Sequence, residues 1–223
     1  MRVCVMFSGG KDSVFAFHWA VMHGFRVDCL LTFRPSRGDS MLFHVPIDAV
    51  SMQGEALGVP VLFIDVGDNE EEDLVGGLRL AALRGVEGVV TGALLSDFQR
   101  IRISIAAGAV GLRVFNPLWR KDQGDYLRWL VGHGFQFMII SISALGIPPA
   151  FLGRVIDYGD VEELIMLSRR FGFNAAFEGG EAETLVVDAP FFSSRVGVEG
   201  VPIQLGEYSW IYSLKRIWLE PKL

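Results

Sequence analysis

Cysteine is nearly missing from this chain: Cys4 and Cys29 are the only two in 223 residues. With no C-x-x-C pair and no His–Cys cluster, a structural zinc site and a disulfide framework are both excluded as expectations. Each cysteine sits in an apolar, strand-like run, so both read as buried small hydrophobes. Lysine is scarce as well, 4 against 16 arginines, and the formal net charge is −6. An acidic chain of this kind lacks the basic surface of a protein whose main work is gripping nucleic acid, so no stable nucleic-acid partner is expected. No apolar run reaches the roughly 18 residues of a membrane-spanning helix. The chain also lacks a basic, then apolar leader and enters a strand at once, which predicts a cytoplasmic protein. Internal repeats, low-complexity tracts and long linkers are absent.

What the chain does have is apolar material in alternating patterns. Hydrophobic residues make up 51% of it, ample for a sizeable core, and the length admits one domain or two. Strand-like runs at Val3–Phe7, Val27–Phe33, Val61–Val66, Gly88–Thr91 and Arg113–Phe115 alternate with helical patterns at Ser13–His23, Pro46–Leu57, Glu70–Arg84 and Asp97–Val110. Gly24, Gly58, Gly85 and Gly111 follow the helical patterns as stop signals. This order predicts an α/β fold, a Rossmann-like parallel sheet with helices on both faces, over residues 1–116. Residues 117–223 predict a smaller C-terminal α+β domain, with helices at Gly124–His133 and Val161–Phe171. Its β runs are Phe137–Ile142, Leu185–Val187, Arg195–Val198 and Trp210–Trp218, giving a hairpin-rich end.

The strand Arg2-Val3-Cys4-Val5-Met6 runs straight into Phe7-Ser8-Gly9-Gly10-Lys11-Asp12-Ser13 and then a helical pattern. This is not a Walker loop, which needs Gly-x-x-x-x-Gly-Lys-[Ser/Thr]. Two adjacent glycines let backbone N–H groups approach an anion, and the following helix turns its positive end toward it. Ser8, Ser13 and the Lys11 ammonium add donors. The pattern resembles the PP-loop of ATP pyrophosphatases, which cleave ATP between the α and β phosphates. That resemblance implies activation by adenylation. In a sheet of this type the ligand lies beyond the carboxyl ends of the strands where strand order reverses. The rule gathers the SGGKDS loop, Thr32-Phe33-Arg34, Asp65 and the Thr91–Arg100 stretch around one crevice.

Four further stretches carry a more specific resemblance: Phe43-His44-Val45-Pro46; Gly92-Ala93-Leu94-Leu95-Ser96-Asp97-Phe98-Gln99-Arg100-Ile101-Arg102; Pro117-Leu118-Trp119 with Asp122-Gln123; and Glu178-Gly179-Gly180-Glu181-Ala182-Glu183-Thr184. In order and spacing, over nearly the whole chain, they resemble the diphthine–ammonia ligase (diphthamide synthetase) family. The resemblance implies ATP-dependent amidation of diphthine, a modified histidine on translation elongation factor 2, with ammonium as nitrogen source. The diphthine carboxylate attacks the α-phosphate, an acyl-adenylate forms, and ammonia displaces AMP. It implies ATP and Mg²⁺ as cofactors; the lack of long apolar runs predicts no membrane partner, and the chain is compatible with a homodimer. The chain departs from the family's usual pattern at Ala182 and Phe98, where tyrosine is usual, at Phe177, where a small residue is usual, and at Ile47, where a polar one is frequent.

Read on their chemistry, Lys11 offsets charge on a pyrophosphate leaving group, while Asp12 either caps the helix or holds Mg²⁺. Asp97 and Arg100 are catalytic candidates, with a local ion pair as the plainer reading. Glu181 and Glu183 are catalytic candidates too, binding Mg²⁺ or attracting ammonium, against a solvated acidic loop. The nucleotide-binding set is Ser8, Gly9, Gly10, Lys11, Asp12, Ser13, Thr32, Phe33, His44, Gly92, Gln99, Gly179, Gly180 and Thr184, and the metal candidates are Asp12 and Glu181. The rival readings are a tRNA-modifying or small-molecule amidating ATP pyrophosphatase and a non-catalytic adenine-nucleotide sensor.

Overall fold

A computed structural model describes residues 1–35 and 46–222, in two compact units, Met1–Trp119 and Arg120–Leu223. The first unit runs β1 (Arg2–Met6), α1 (Lys11–Met22), β2 (Arg26–Pro35), α2 (Ile47–Leu57), β3 (Val61–Val66), α3 (Glu70–Leu83), β4 (Gly88–Val90), α4 (Asp97–Ala109) and β5 (Arg113–Phe115). The five strands are parallel in the order β3-β2-β1-β4-β5. The chain first steps outward from β1 to β3, then crosses back to β4 and β5. Right-handed crossovers in opposite directions place helices on opposite faces, so the Rossmann-like sheet expected from the alternating pattern is the one observed. On one face α3 and α4 cover Cys4, Leu31, Phe33 and Val89 with Leu74, Leu78, Ile103 and Ala107, all buried. Strand order reverses between β1 and β4, which sets the ligand end of the sheet at the loops after these two strands.

Local chemistry starts the helices. Asn69 accepts from the Glu72 N–H at 3.3 Å, and Glu70, Glu71, Glu72 and Asp73 fill the first turn of α3, where the helix dipole favours negative charge. Ser96 accepts from the Gln99 N–H at 3.2 Å and opens α4.

Three findings correct the reading of the sequence. Cys4 and Cys29 are joined in a disulfide, with Cα atoms 4.7 Å apart. The cause is register: Val3 faces Val27, but a bulge between Val3 and Cys4 leaves Asp28 unpaired and sets Cys4 beside Cys29. Both are buried as expected, but they are partners rather than two separate thiols. The displaced Asp28 takes ion pairs from Arg2 and Arg26.

The second unit runs α5 (Gln123–Gly132), β6 (Gln136–Ile142), α6 (Tyr158–Phe171), β7 (Ala182–Asp188), β8 (Ser194–Gly206) and β9 (Ser209–Pro221). Its sheet has the order β7-β6-β9-β8, and every pair in it is antiparallel, as an α+β domain with a hairpin end requires. Here the second correction falls. β8 and β9 are 13 residues each, much longer than the runs legible at Arg195–Val198 and Trp210–Trp218. Pro202 lies within β8, the sheet's edge strand, where a missing N–H breaks no inner ladder. Likewise α6 starts at Tyr158, three residues earlier than expected, because Asp157 and Asp160 form a reciprocal capping box.

Candidate functional site

β1 ends at Met6, and the chain turns through Phe7-Ser8-Gly9-Gly10 into α1. Gly10 occupies the N-cap position and has no side chain to accept from the first turn, so the helix start depends on backbone N–H groups alone. Gly9 has φ +80°, a left-handed conformation open to glycine at little strain. Ser13 ties the turn together: its hydroxyl donates to the Gly10 carbonyl at 3.0 Å and accepts from the Ser8 N–H at 3.3 Å. The Ser8 hydroxyl lies 3.4 Å from that of Ser13. Phe7, at the mouth of the loop, is tied to β2 twice. Its N–H donates to the Leu31 carbonyl at 2.9 Å, and its carbonyl accepts from the buried Thr32 hydroxyl at 2.8 Å. Thr32 therefore anchors the loop, and the Phe33 side chain packs into the core beneath α3.

Lys11 is 2% exposed and is the first residue of α1, with its ammonium 2.9 Å from the Asp12 carboxylate. A buried cation at a helix N-terminus is opposed by the dipole and by desolvation, so it needs negative charge beside it. Asp12 supplies one such charge from a side chain 26% exposed. Among the described residues no group of three or more His, Cys, Asp or Glu side chains is arranged to hold a metal.

The loop after β4 closes on the same turn. A Cβ built on Gly92 would lie 2.7 Å from the Asp12 carbonyl carbon and 2.9 Å from the Ser13 nitrogen, so only glycine lets these backbones touch. Thr91, buried, donates to Asn116 Oδ1 at 2.6 Å and accepts from the Ala93 N–H at 3.3 Å, shaping the loop's exit from the strand. In α4, Arg100 donates twice to Asp97, at 2.8 and 3.2 Å, and its guanidinium stands 4.4 Å from the Trp119 ring centre. The local ion pair is thus present, and the cation stands over an aromatic face. Arg102 reaches Glu71 of α3 at 2.5 Å and lies over Phe98. His44 lies outside the described residues.

In the second unit, Glu181 is bound into its own loop. Its carboxylate accepts from the Asn174 N–H at 2.8 Å, from Asn174 Nδ2 at 2.7 Å and from the Gly179 N–H at 2.7 Å. Gln123 at the start of α5 extends this clasp, donating to Asn174 Oδ1 at 3.2 Å and accepting from the Ala176 N–H at 2.8 Å. The loop turns through Phe177 and Gly180, both at positive φ. Glu183 and Thr184 stand on β7 opposite Ser141 and Ile139 of β6.

Residues 1–114 match the family described as the diphthamide synthase N-terminal domain, and residues 122–219 match the diphthamide synthase C-terminal domain. This chain belongs to the diphthamide synthase family. A human relative named diphthine–ammonia ligase is 32% identical over 89% of this chain and 83% of its own length. The bovine protein of the same name is 31% identical over the same shares. The Schizosaccharomyces pombe protein so named is 31% identical over 88% of this chain, which corresponds to 36% of that longer protein.

For a diphthamide synthase family member, the polar side chains that support the candidate residues are only partly legible in the motifs. Gln53 of α2, fully buried, donates to the Gly9 carbonyl at 2.9 Å. Its one signal is a polar residue within the buried stripe Ala49, Val50, Gly54 and Ala56. Asn174 lies outside every motif, and Gln123 at the edge of one carries no sign of its partner 51 residues away.

Proposed function

We propose that this chain amidates diphthine on translation elongation factor 2, using ATP and ammonia and releasing AMP and pyrophosphate. The observation that carries the reading is the loop Ser8–Ser13. In a family whose named relatives are diphthine–ammonia ligases, it presents an uncapped helix start, a buried Lys11 and a glycine at left-handed φ. Residues 1–116 handle ATP and residues 117–223 the acceptor.

The triphosphate binds at the start of α1, with Gly9, Gly10 and the first-turn N–H groups facing its oxygens. A diphthine carboxylate oxygen bonds to the α-phosphorus as the bond to the bridging oxygen of the β-phosphate breaks, and pyrophosphate leaves. Negative charge grows on that leaving group, and Lys11 is placed to offset it. Arg100, oriented by Asp97 and Trp119, holds a phosphate or carboxylate oxygen. Ammonium sheds one proton to water and becomes ammonia; ammonia bonds to the acyl carbon as the bond to AMP breaks, and the nitrogen then loses a second proton to water. Glu183, on the second unit, attracts the ammonium. Mg²⁺ usually combines one or two carboxylates with substrate phosphates. Asp12, part-exposed beside the loop, fits such a shared metal, which would neutralise phosphate charge. Glu181, with both oxygens engaged by loop donors, acts by shaping the Glu178–Thr184 turn that presents Gly179, Gly180 and Thr184. Elongation factor 2 is a cytoplasmic protein, so the chain works there. No helix among the described residues is long and apolar enough to cross a membrane.

The test is to incubate the protein with ATP, Mg²⁺, ammonium and elongation factor 2 bearing diphthine, then to weigh the modified peptide and assay AMP. Conversion of the acid to its amide, dependent on ATP and matched by AMP, is the expected result. An unchanged peptide, with a known ligase succeeding on the same substrate, refutes the reading.

A further inference from the structure

We propose that Gln53 is a positioning residue for the phosphate loop, holding the Gly9–Gly10 peptide so that the following N–H groups face the nucleotide. The inference rests on the ATP-loop reading above and names a residue that acts through Gly9 rather than by touching substrate. Gln53 is fully buried on α2, and its amide donates to the Gly9 carbonyl at 2.9 Å across 44 residues of sequence. The fit is close enough that a Cβ on Gly9 would fall 2.4 Å from Gln53 Oε1. At φ +80° the Gly9 backbone has no steric wall of its own to keep it there. The Ser13 hydroxyl binds the loop from the α1 side through Gly10 and Ser8, and Thr32 binds it from β2 through Phe7. Gln53 holds the peptide between these two anchors. Because a carbonyl and the next N–H belong to one rigid plane, fixing the Gly9 oxygen also fixes the direction of the Gly10 N–H. A glutamine amide donates at this distance without adding charge beside the triphosphate, which a lysine or glutamate at position 53 would do.

The experiment compares Gln53→Met and Gln53→Glu with Val50→Ala in the full-length chain. Val50 also packs against Gly9, its Cγ2 lying 3.1 Å from the built Cβ, but gives the loop no hydrogen bond. Amide hydrogen exchange at residues 9–13 is measured without ligand, and KM for ATP and kcat are measured in the amidation assay. Loss of one buried hydrogen bond is worth roughly tenfold. Both Gln53 variants should speed exchange in the loop and raise KM for ATP by about that factor, with kcat lowered too, while Val50→Ala leaves the loop's exchange as in the parent. A variant that merely lost folded protein would lower kcat at constant KM. Unchanged exchange in Gln53→Glu, which keeps the side-chain shape, or an equal effect of Val50→Ala, overturns the proposal. If the parent chain neither binds nor uses ATP, the ligase reading fails on its own, and the exchange measurement still decides the role of Gln53.

Discussion

Replacing Gly92 by alanine tests whether the contact between the β4 loop and the start of α1 matters. The added methyl carbon would meet the Asp12 carbonyl carbon at 2.7 Å, against the 3.4 Å at which ordinary contact begins, an overlap of about 0.7 Å. The three nearest atoms it meets all belong to the backbone of Asp12 or Ser13, so relief cannot come from a flexible side chain swinging aside. Either the β4 loop retreats or the first turn of α1 does. Overpacking of this kind costs about 1–3 kcal/mol. In a chain of this size each kcal/mol lowers Tm by roughly 2–4 °C, so a fall of several degrees is expected in a thermal melt followed by circular dichroism. Activity should fall further than stability, because a misplacement approaching 1 Å at a reacting centre costs on the order of 100-fold. The assay is ATP-dependent amide formation at saturating ATP, well below the variant's own Tm. A variant with the parent's Tm and rate refutes the steric argument. A lower Tm with an intact rate keeps the steric argument and refutes the placement of the reacting groups at this turn.

Lys11→Met should lower turnover by roughly 100-fold, the scale of one preorganised charge contact, and leave the thermal melt nearly unchanged. A buried ammonium at a helix start adds little to folding, so equal activity in the variant would remove Lys11 from the reaction. The Cys4–Cys29 disulfide spans 25 residues, for which the chain-entropy estimate gives about 3.5 kcal/mol. Thiol titration in denaturant should therefore find none before reduction and two after, and the reductant should lower the urea midpoint. Two thiols titrating without reductant would contradict the pairing. Burial alone would raise the Asp160 carboxyl, but Arg154, donating twice at 2.6 Å, and the Asp157 N–H at 3.0 Å outweigh it and hold Asp160 below the usual carboxylate range. A lowered folded pKa adds stability that is complete above the unfolded value of about 3.9 and is lost as pH falls through the folded one. Asp160→Asn should melt at a lower temperature near neutral pH and lose less of its Tm below about pH 4 than the parent does.

The parts of this molecule that could be read in advance are those whose meaning is local. A strand, two glycines and a helix start define the SGGKDS turn within a dozen residues. Alternation of apolar runs and helical stripes is enough to place β1 to β5 along the chain and to make the sheet parallel. What could not be read depends on register or on partners far along the chain. Nothing in Arg26-Val27-Asp28-Cys29 marks Asp28 as the residue that bulges out, and without that bulge Cys4 would stand beside an aspartate. Pro202 looks like a stop until the strand order makes β8 an edge. The same division runs through the candidate site. Motif residues such as Gly9 and Gly92 announce themselves because a glycine has few other uses at the end of a buried strand. The bonds that hold loops in place do not: Gln53 reaches the Gly9 carbonyl across 44 residues and Gln123 reaches Asn174 across 51, while Thr32, singled out as a nucleotide-binding candidate, bonds to the Phe7 carbonyl 25 residues away. A positioning side chain needs only one donor at one distance, and a lone glutamine or threonine inside an apolar stripe serves many ends. Loop geometry here is therefore written twice, once in glycines that permit it and once in scattered amides and hydroxyls that select it. Only the first of these leaves a pattern in one dimension. Without the second the glycine turn is free to leave this conformation, which is why loss of Gln53 should loosen residues 9–13.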